Sequence, residues 1–91
     1  MFNDGSIYEG EWKDGLRNGQ GTFKWADGSF YTGQYVNGQR SGYGTMKYSN
    51  GSHYVGQWLS NTFHGEGVFV SRMGRTSKYL HKDGIFVKKL P

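Results

Sequence analysis

The sequence predicts an all-β fold, an elongated single-layer antiparallel meander of tandem β-hairpins. Three observations predict it. The first is composition: 91 residues hold 16 Gly together with 3 Trp, 7 Tyr and 6 Phe. That density of Gly and rings is far above ordinary globular usage and suits short strands joined by tight turns. The second is a period: Tyr8, Tyr31 and Tyr54 stand 23 residues apart, as do Gly10, Gly33 and Gly56, and Trp12, Tyr35 and Trp58. Residues 8–30 and 31–53 agree at 10 of 23 positions without a gap. The third is alternation along each half-repeat, which is the period-two mark of a strand with one covered face.

The elements follow in order. Phe2, Asp4, Gly5 and Ser6 match Trp25, Asp27, Gly28 and Ser29, so residues 1–7 read as the close of a preceding repeat. Residues 8–30 are a full repeat. Tyr8, Gly10 and Trp12 point one way, and Ile7, Glu9 and Glu11 the other. Asp14-Gly15 marks a hairpin turn. Gly19, Gly21, Phe23 and Trp25 then share an alternating face, with Gln20, Thr22 and Lys24 opposite, and Asp27-Gly28 marks the next turn. Residues 31–53 and 54–76 repeat this plan, the former closing on Asn50-Gly51. Six strands are expected over residues 7–71, with no helix. Residues 77–91 read as a degenerate fourth repeat that stops before its second half and ends in a basic C-terminal tail. There Asp83-Gly84 keeps the turn, but Ser77, Tyr79 and His81 replace the Tyr, Gly and Trp positions.

Glycine inside a strand is normally unfavourable. Gly10 and Gly21 recur on the face of the rings, so a neighbouring ring is expected to lie flat on the bare backbone there. Stacking of ring on glycine from repeat to repeat supplies what one hairpin cannot bury alone.

These residues resemble the MORN repeat (membrane occupation and recognition nexus). The resemblance rests on Tyr8, Gly10, Trp12, Gly15, Asn18, Gly19, Gly21, Trp25, Asp27 and Gly28, and on their counterparts in the next repeats. Ser41 replaces the Asn or His of the motif, and the third repeat departs from it at Asn61, Ser71 and Met73. The resemblance implies a scaffold for protein binding, in some members with dimerisation or lipid binding, and it brings no catalytic residue.

The residues themselves support no enzyme. His53, His64 and His81 lack ligand spacing, so no metal is expected; His64, at the position of Asn18, reads as a turn residue. Glu9 and Glu11 read as solvated charge on the outward face. Gly19-Gln20-Gly21 and Gly42-Tyr43-Gly44 lack the third glycine and the helix of a dinucleotide loop, and no P-loop is present. Gly42-Tyr43-Gly44 with Tyr48 lacks the basic first residue of an RNA-recognition motif, so nucleic acid is not an expected partner. No cofactor is expected. The chain has no cysteine; no signal peptide is recognised, and a cytoplasmic location, cytoskeleton- or membrane-associated, is the default expectation. Asn50-Gly51-Ser52 fits a glycosylation sequon and reads as a turn.

Two binding surfaces remain. The ring face of Tyr8, Trp12, Trp25, Tyr31, Tyr35, Tyr48, Tyr54 and Trp58 is the candidate for a protein segment, with Trp12, Tyr35 and Trp58 as anchors. The alternative is anionic phospholipid at the basic tail. The net charge of +4 divides into −1 over residues 1–71 (five basic, six acidic) and +5 over residues 72–91 (six basic, one acidic). The basic residues are Arg72, Arg75, Lys78, Lys82, Lys88 and Lys89. Self-association through sheet edges or the tail is a further outcome that the pattern allows.

Overall fold

The computed structural model describes residues 4–91, and Phe2, matched above to Trp25, lies outside them. The described residues form one open antiparallel sheet whose spatial order is the chain order. Its strands are β1 (Ile7–Lys13), β2 (Leu16–Lys24), β3 (Phe30–Val36), β4 (Gln39–Lys47), β5 (His53–Leu59), β6 (Thr62–Val70), β7 (Thr76–Lys82) and β8 (Ile85–Leu90). The first six are the strands expected over residues 7–71, and no helix occurs among the described residues. The sheet spans 41 × 24 × 17 Å. β1 pairs only with β2, and β8 only with β7, so both edges are open among the described residues.

The degenerate fourth repeat continues the sheet further than its ring motif suggests. β7 and β8 form a whole hairpin that continues the meander. Asp83 and Gly84 carry the turn with φ of 51° and 83°. Positive φ at both central residues is what a two-residue hairpin with the right-handed strand twist requires. Asp14-Gly15, Asn37-Gly38 and Ser60-Asn61 do the same. A competent turn beside the open edge of β6 therefore suffices, although the ring motif has decayed.

The three later turns also dock on the preceding repeat. The N–H groups of Gly38, Asn61 and Gly84 donate to the carbonyls of Arg17, Arg40 and Phe63 at 2.8, 3.1 and 2.9 Å. Asn18 Oδ1, Ser41 Oγ and His64 Nδ1 accept from the N–H groups of Asn37, Ser60 and Asp83 at 3.0, 3.2 and 3.3 Å. His64, read as a turn residue, itself lies on β6 and serves the next turn as an acceptor. Three of the wider turns are Asx turns: Asp4, Asp27 and Asn50 each accept from the backbone and hydroxyl of the serine two residues on, whereas between β6 and β7 Ser71 Oγ accepts from the Arg75 N–H at 3.1 Å. The sequon asparagine, Asn50, is such a turn residue. Those serine bonds hold the Asp4 and Asp27 carboxyls below the ordinary value of 3.8.

The glycine pairs do what the sequence implies. Gly10 faces Gly21, Gly33 faces Gly44 and Gly56 faces Gly67 across the ladder. The rings of Tyr8, Tyr31 and Tyr54 fill the space where their side chains would stand. Between each pair and the next paired residues the register shifts. There Gly19, Gly42 and Gly65 take positive φ of 82°, 95° and 70°. These glycines are bulge residues and not ordinary members of an alternating face. Glu11 uses its carboxylate at the bulge, accepting from the Gln20 N–H at 2.7 Å, and Gln34 serves Tyr43 in the same way at 2.9 Å. Glu11 is therefore a structural acceptor as well as a solvated charge.

The core is the ring spine itself: Tyr31, Tyr35, Met46, Tyr54 and Trp58, flanked by half-buried Tyr8, Phe23, Trp25, Tyr48, Phe63 and Phe69. Its rings meet edge to face, as their quadrupoles prefer, for instance Tyr31 with Tyr35 at 5.4 Å and with Trp58 at 5.3 Å. Two equivalent tyrosines differ within it. Tyr31 Oη donates to the Gln34 carbonyl at 3.0 Å. Tyr54 Oη is buried without a hydrogen-bond partner, and its ring leans on Phe63 at 4.1 Å. Burial pushes the Tyr31 phenol up to about 12. Tyr31→Phe is expected to cost about 1 kcal/mol, the net worth of a made bond, and Tyr54→Phe to be neutral or slightly stabilising. Urea melts of the two variants check this; equal losses would mean that Tyr54 is hydrogen-bonded in solution.

Candidate binding groove

The ring face is where the sequence places a partner, and the structure divides its eight residues. Tyr31, Tyr35, Tyr54 and Trp58 are 0–5% exposed. As anchors, Tyr35 and Trp58 are thus occupied in the core, where Trp58 Nε1 also donates to the Gly44 carbonyl at 3.3 Å. The physical reason is the shared face: equivalent rings one repeat apart close over one another. Tyr8, Trp25 and Tyr48 are half-buried. Trp12 is 53% exposed, its ring resting edge to face on Tyr8 at 5.0 Å.

A chain of open hollows runs along this face. One of about 190 Å³ is lined by Arg17, Phe23, Trp25, Tyr35, Arg40 and Asn61. A second of about 370 Å³ shares Arg17 and Phe23 with it and reaches Trp12 and Leu16. A third of about 450 Å³ shares Trp25 and continues to Met46 and Tyr48. On the other side, Asn61 joins the first hollow to one of about 210 Å³ bounded by Trp58, Phe63 and Gly84. The ring period therefore yields a floor, with a groove above it.

Sequence reading missed the two arginines in that groove. Arg17 and Arg40 occupy one repeat position, where the later repeats have Phe63 and Phe86. The Arg17 guanidinium lies 5.8, 5.3 and 5.2 Å from the ring centres of Tyr8, Phe23 and Tyr35. Arg40 lies 5.7, 5.8 and 5.0 Å from those of Trp25, Tyr31 and Trp58. Each cation thus stands over negative ring faces. Burial draws the Arg40 guanidinium below its ordinary value of 12.5, and a guanidinium there stays charged at any physiological pH. The signal was available: a basic residue recurring at one step of the period, at the register partner of Trp12 and of Tyr35.

The basic residues of the C-terminal region do not form one solvated tail. Arg72 and Arg75 lie between β6 and β7, and the four lysines lie on β7 and β8. Lys78, Lys82 and Lys88 share the face opposite the rings, and Lys89 pairs with Tyr79. Among the described residues no three His, Cys, Asp or Glu side chains group as metal ligands.

His81 takes the place of Trp58 in the last hairpin and sits among Tyr54, Phe63, Tyr79 and Phe86, with ring centres 5.1–6.4 Å away. Its buried Nδ1 has no hydrogen-bond partner, and burial lowers its pKa from 6.5. The unfolded chain then binds the extra proton, so stability is complete above pH 6.5 and falls as pH drops below it. His81→Trp is expected to raise the melting temperature and remove this loss between pH 7.5 and 5.5. An unchanged pH slope in the variant would assign the loss elsewhere.

No curated protein sequence matches the chain significantly. The MORN repeat profile matches residues 8–30, 31–53 and 54–74, the same hairpin pairs that build the groove. MORN repeats are a non-enzymatic module used generally in protein and membrane interactions. The chain belongs to the MORN repeat family.

Proposed function

We propose that the chain is a non-catalytic scaffold module that holds a polypeptide segment of a cytoplasmic partner along the ring-bearing groove, as in cytoskeletal or ciliary assemblies. The observation that carries this reading is the row of connected hollows above a core that is already closed. A row suits a long ligand with spaced anchors, whereas a small molecule prefers an enclosed site. Trp12 and Leu16, both about half exposed, offer apolar contact at one end. Peptides selected from a random display library should shift the NMR signals of Trp12, Arg17 and Trp25. Shifts confined to Tyr43, Val55 and Lys78 would place the site on the opposite face.

One observation favours a second reading, peripheral binding to anionic phospholipid. Ile85 is 69% exposed and pairs with Lys82, on the face that also carries Lys78 and Lys88. Such a cluster gives reversible, salt-sensitive attraction. Sedimentation with phosphatidylserine vesicles at two salt concentrations tests it; binding unchanged by charge reversal of Lys78, Lys82 and Lys88 rejects it.

A further inference from the structure

We propose that Arg17 and Arg40 make the groove selective for an acidic segment, with two carboxylates about one repeat apart and an apolar residue one step further on. The proposal rests on the groove being a peptide site and names the partner's chemistry. It starts from two cations without an anion. Among the described residues the one ion-pair contact is His64 with Asp83, on the outer turns. Arg17 and Arg40 line the same hollow, and among the described residues neither makes an ion pair; Asp4, which shares a second hollow with Arg17, is spent on Ser6.

Their hydrogen-bond donors are mostly unspent. A guanidinium has five N–H donors in a flat fork. Arg17 donates Nη2 to the Gly38 carbonyl at 2.9 Å. Arg40 donates Nη2 to the Asn61 carbonyl at 3.1 Å, and its Nε meets Asn61 Oδ1 at 3.4 Å. The rings hold the planes and the turn carbonyls hold one corner of each. The remaining donors border the hollow, in the arrangement that carboxylates accept in bidentate fashion. Half-burial weakens water's competition for those donors, so an arriving carboxylate gains more than it would at an open surface.

The period sets the spacing. Equivalent positions of adjacent repeats are two strands apart, about 9–10 Å. Extended chain covers that in about three residues. The row reads Arg17, Arg40, Phe63, Phe86 across the sheet. A segment crossing it meets two cations and then two rings, and Phe86 is exposed. The complementary pattern is acidic, acidic, apolar, in steps of three. Two acids border the groove: Asp4 and Asp27 line the hollow beyond Trp25, and Asp4 also lines the one that holds Arg17, each tied to its serine. They repel a second acidic strip there and so fix which side of the segment carries the acids.

Asn61 supplies an independent handle. It stands where the other tight turns have Gly15, Gly38 and Gly84. Its side chain accepts from the Arg40 backbone N–H at 2.8 Å as well as meeting Nε. Glycine at this site keeps the turn and releases Nε, while Nη2 stays on the backbone carbonyl.

The test is selection from a random 12-residue display library against the wild-type protein, then titration of one labelled selected peptide against variants. Selected peptides should be enriched in Asp and Glu at a spacing of three. Their affinity should fall with added salt and drop about tenfold in each of Arg17→Met and Arg40→Met. Methionine keeps an apolar stem on the rings. Should either Met variant fail to fold by circular dichroism, Asn61→Gly carries the test: with Nε no longer held, acid preference should weaken in a variant shown folded by the same measurement. Groove-binding peptides without acidic enrichment, or equal affinity for the folded variants, overturn the charge selection and leave the peptide groove standing. Selection of no peptide, or of peptides that map to the opposite face, overturns both. Phosphatidylserine vesicles bound through Arg17 and Arg40 in place of any peptide also overturn both, in favour of lipid.

Discussion

Alanine at Gly33 is expected to cost about 3–5 kcal/mol, at the upper end of single substitutions. At 4–8 °C per kcal/mol for a domain of this size, the melting temperature should fall by roughly 15 °C or more. The cause is steric and sits in the backbone. A Cβ at Gly33 would lie 2.6 Å from the Tyr43 carbonyl oxygen, 2.6 Å from Tyr31 Oη and against the Gly44 Cα. The ring could lift, but the facing strand cannot move without breaking its ladder. Gly44 offers the informative contrast, because its three nearest neighbours are all atoms of the Tyr31 ring. In a Tyr31→Ala background, Gly44→Ala should therefore become nearly neutral, whereas Gly33→Ala should remain costly. Gly15→Asn is the control: none of the described residues lies within 4 Å of its Cβ position, and Ser60-Asn61 already places Asn in such a turn. A loss of under about 1 kcal/mol is expected there. Equal losses at Gly33 and Gly15, measured by thermal melts, would show that backbone freedom and not ring clearance decides the glycine positions.

The same contrast explains what was legible in the sequence. Hairpin register was legible because its determinants are local: Asp14-Gly15, Asn37-Gly38 and Asp83-Gly84 announce the turn within two residues. The glycine–ring pairing was legible because Tyr8, Gly10 and Gly21 recur together at 23 residues. The last hairpin was under-read because ring motif and turn signal disagree there, and the turn together with the open β6 edge prevails. The bulge roles of Gly19 and Glu11 were hidden, since alternation counts residues and a bulge breaks the count. Which rings stay open was also not legible. Trp12, Tyr35 and Trp58 occupy equivalent positions, and what separates them is the number of repeats stacked on either side. The groove cations escaped for a similar reason. Arg17 and Arg40 look like ordinary surface charges until the register sets them beside Trp12 and Tyr35.

Trp58→Ala and Trp12→Ala, the same substitution at one repeat position, are expected to fail in different ways. Trp58 is 5% exposed, bonds the Gly44 carbonyl through Nε1 and carries the Arg40 guanidinium. Its loss empties the middle of the spine and should cost about 3–5 kcal/mol. Trp12 is 53% exposed, and among the described residues its ring contact is with Tyr8. Its loss should cost about 1 kcal/mol, the worth of one edge-to-face pair with partial burial. Binding should invert the order. An exposed Trp at the rim of an apolar hollow is the residue type that dominates interfaces. Folded Trp12→Ala should therefore bind a groove-selected peptide at least tenfold more weakly than the wild type. Circular dichroism melts and fluorescence titration on the same samples separate the two effects. If Trp12→Ala melts as low as Trp58→Ala, the core extends to the first hairpin and Trp12 is not a free surface. If it folds normally and binds with wild-type affinity, the ligand passes over Arg17 and Arg40 without reaching β1. The contact surface then begins at β2, beside the half-open rings of Trp25 and Tyr48.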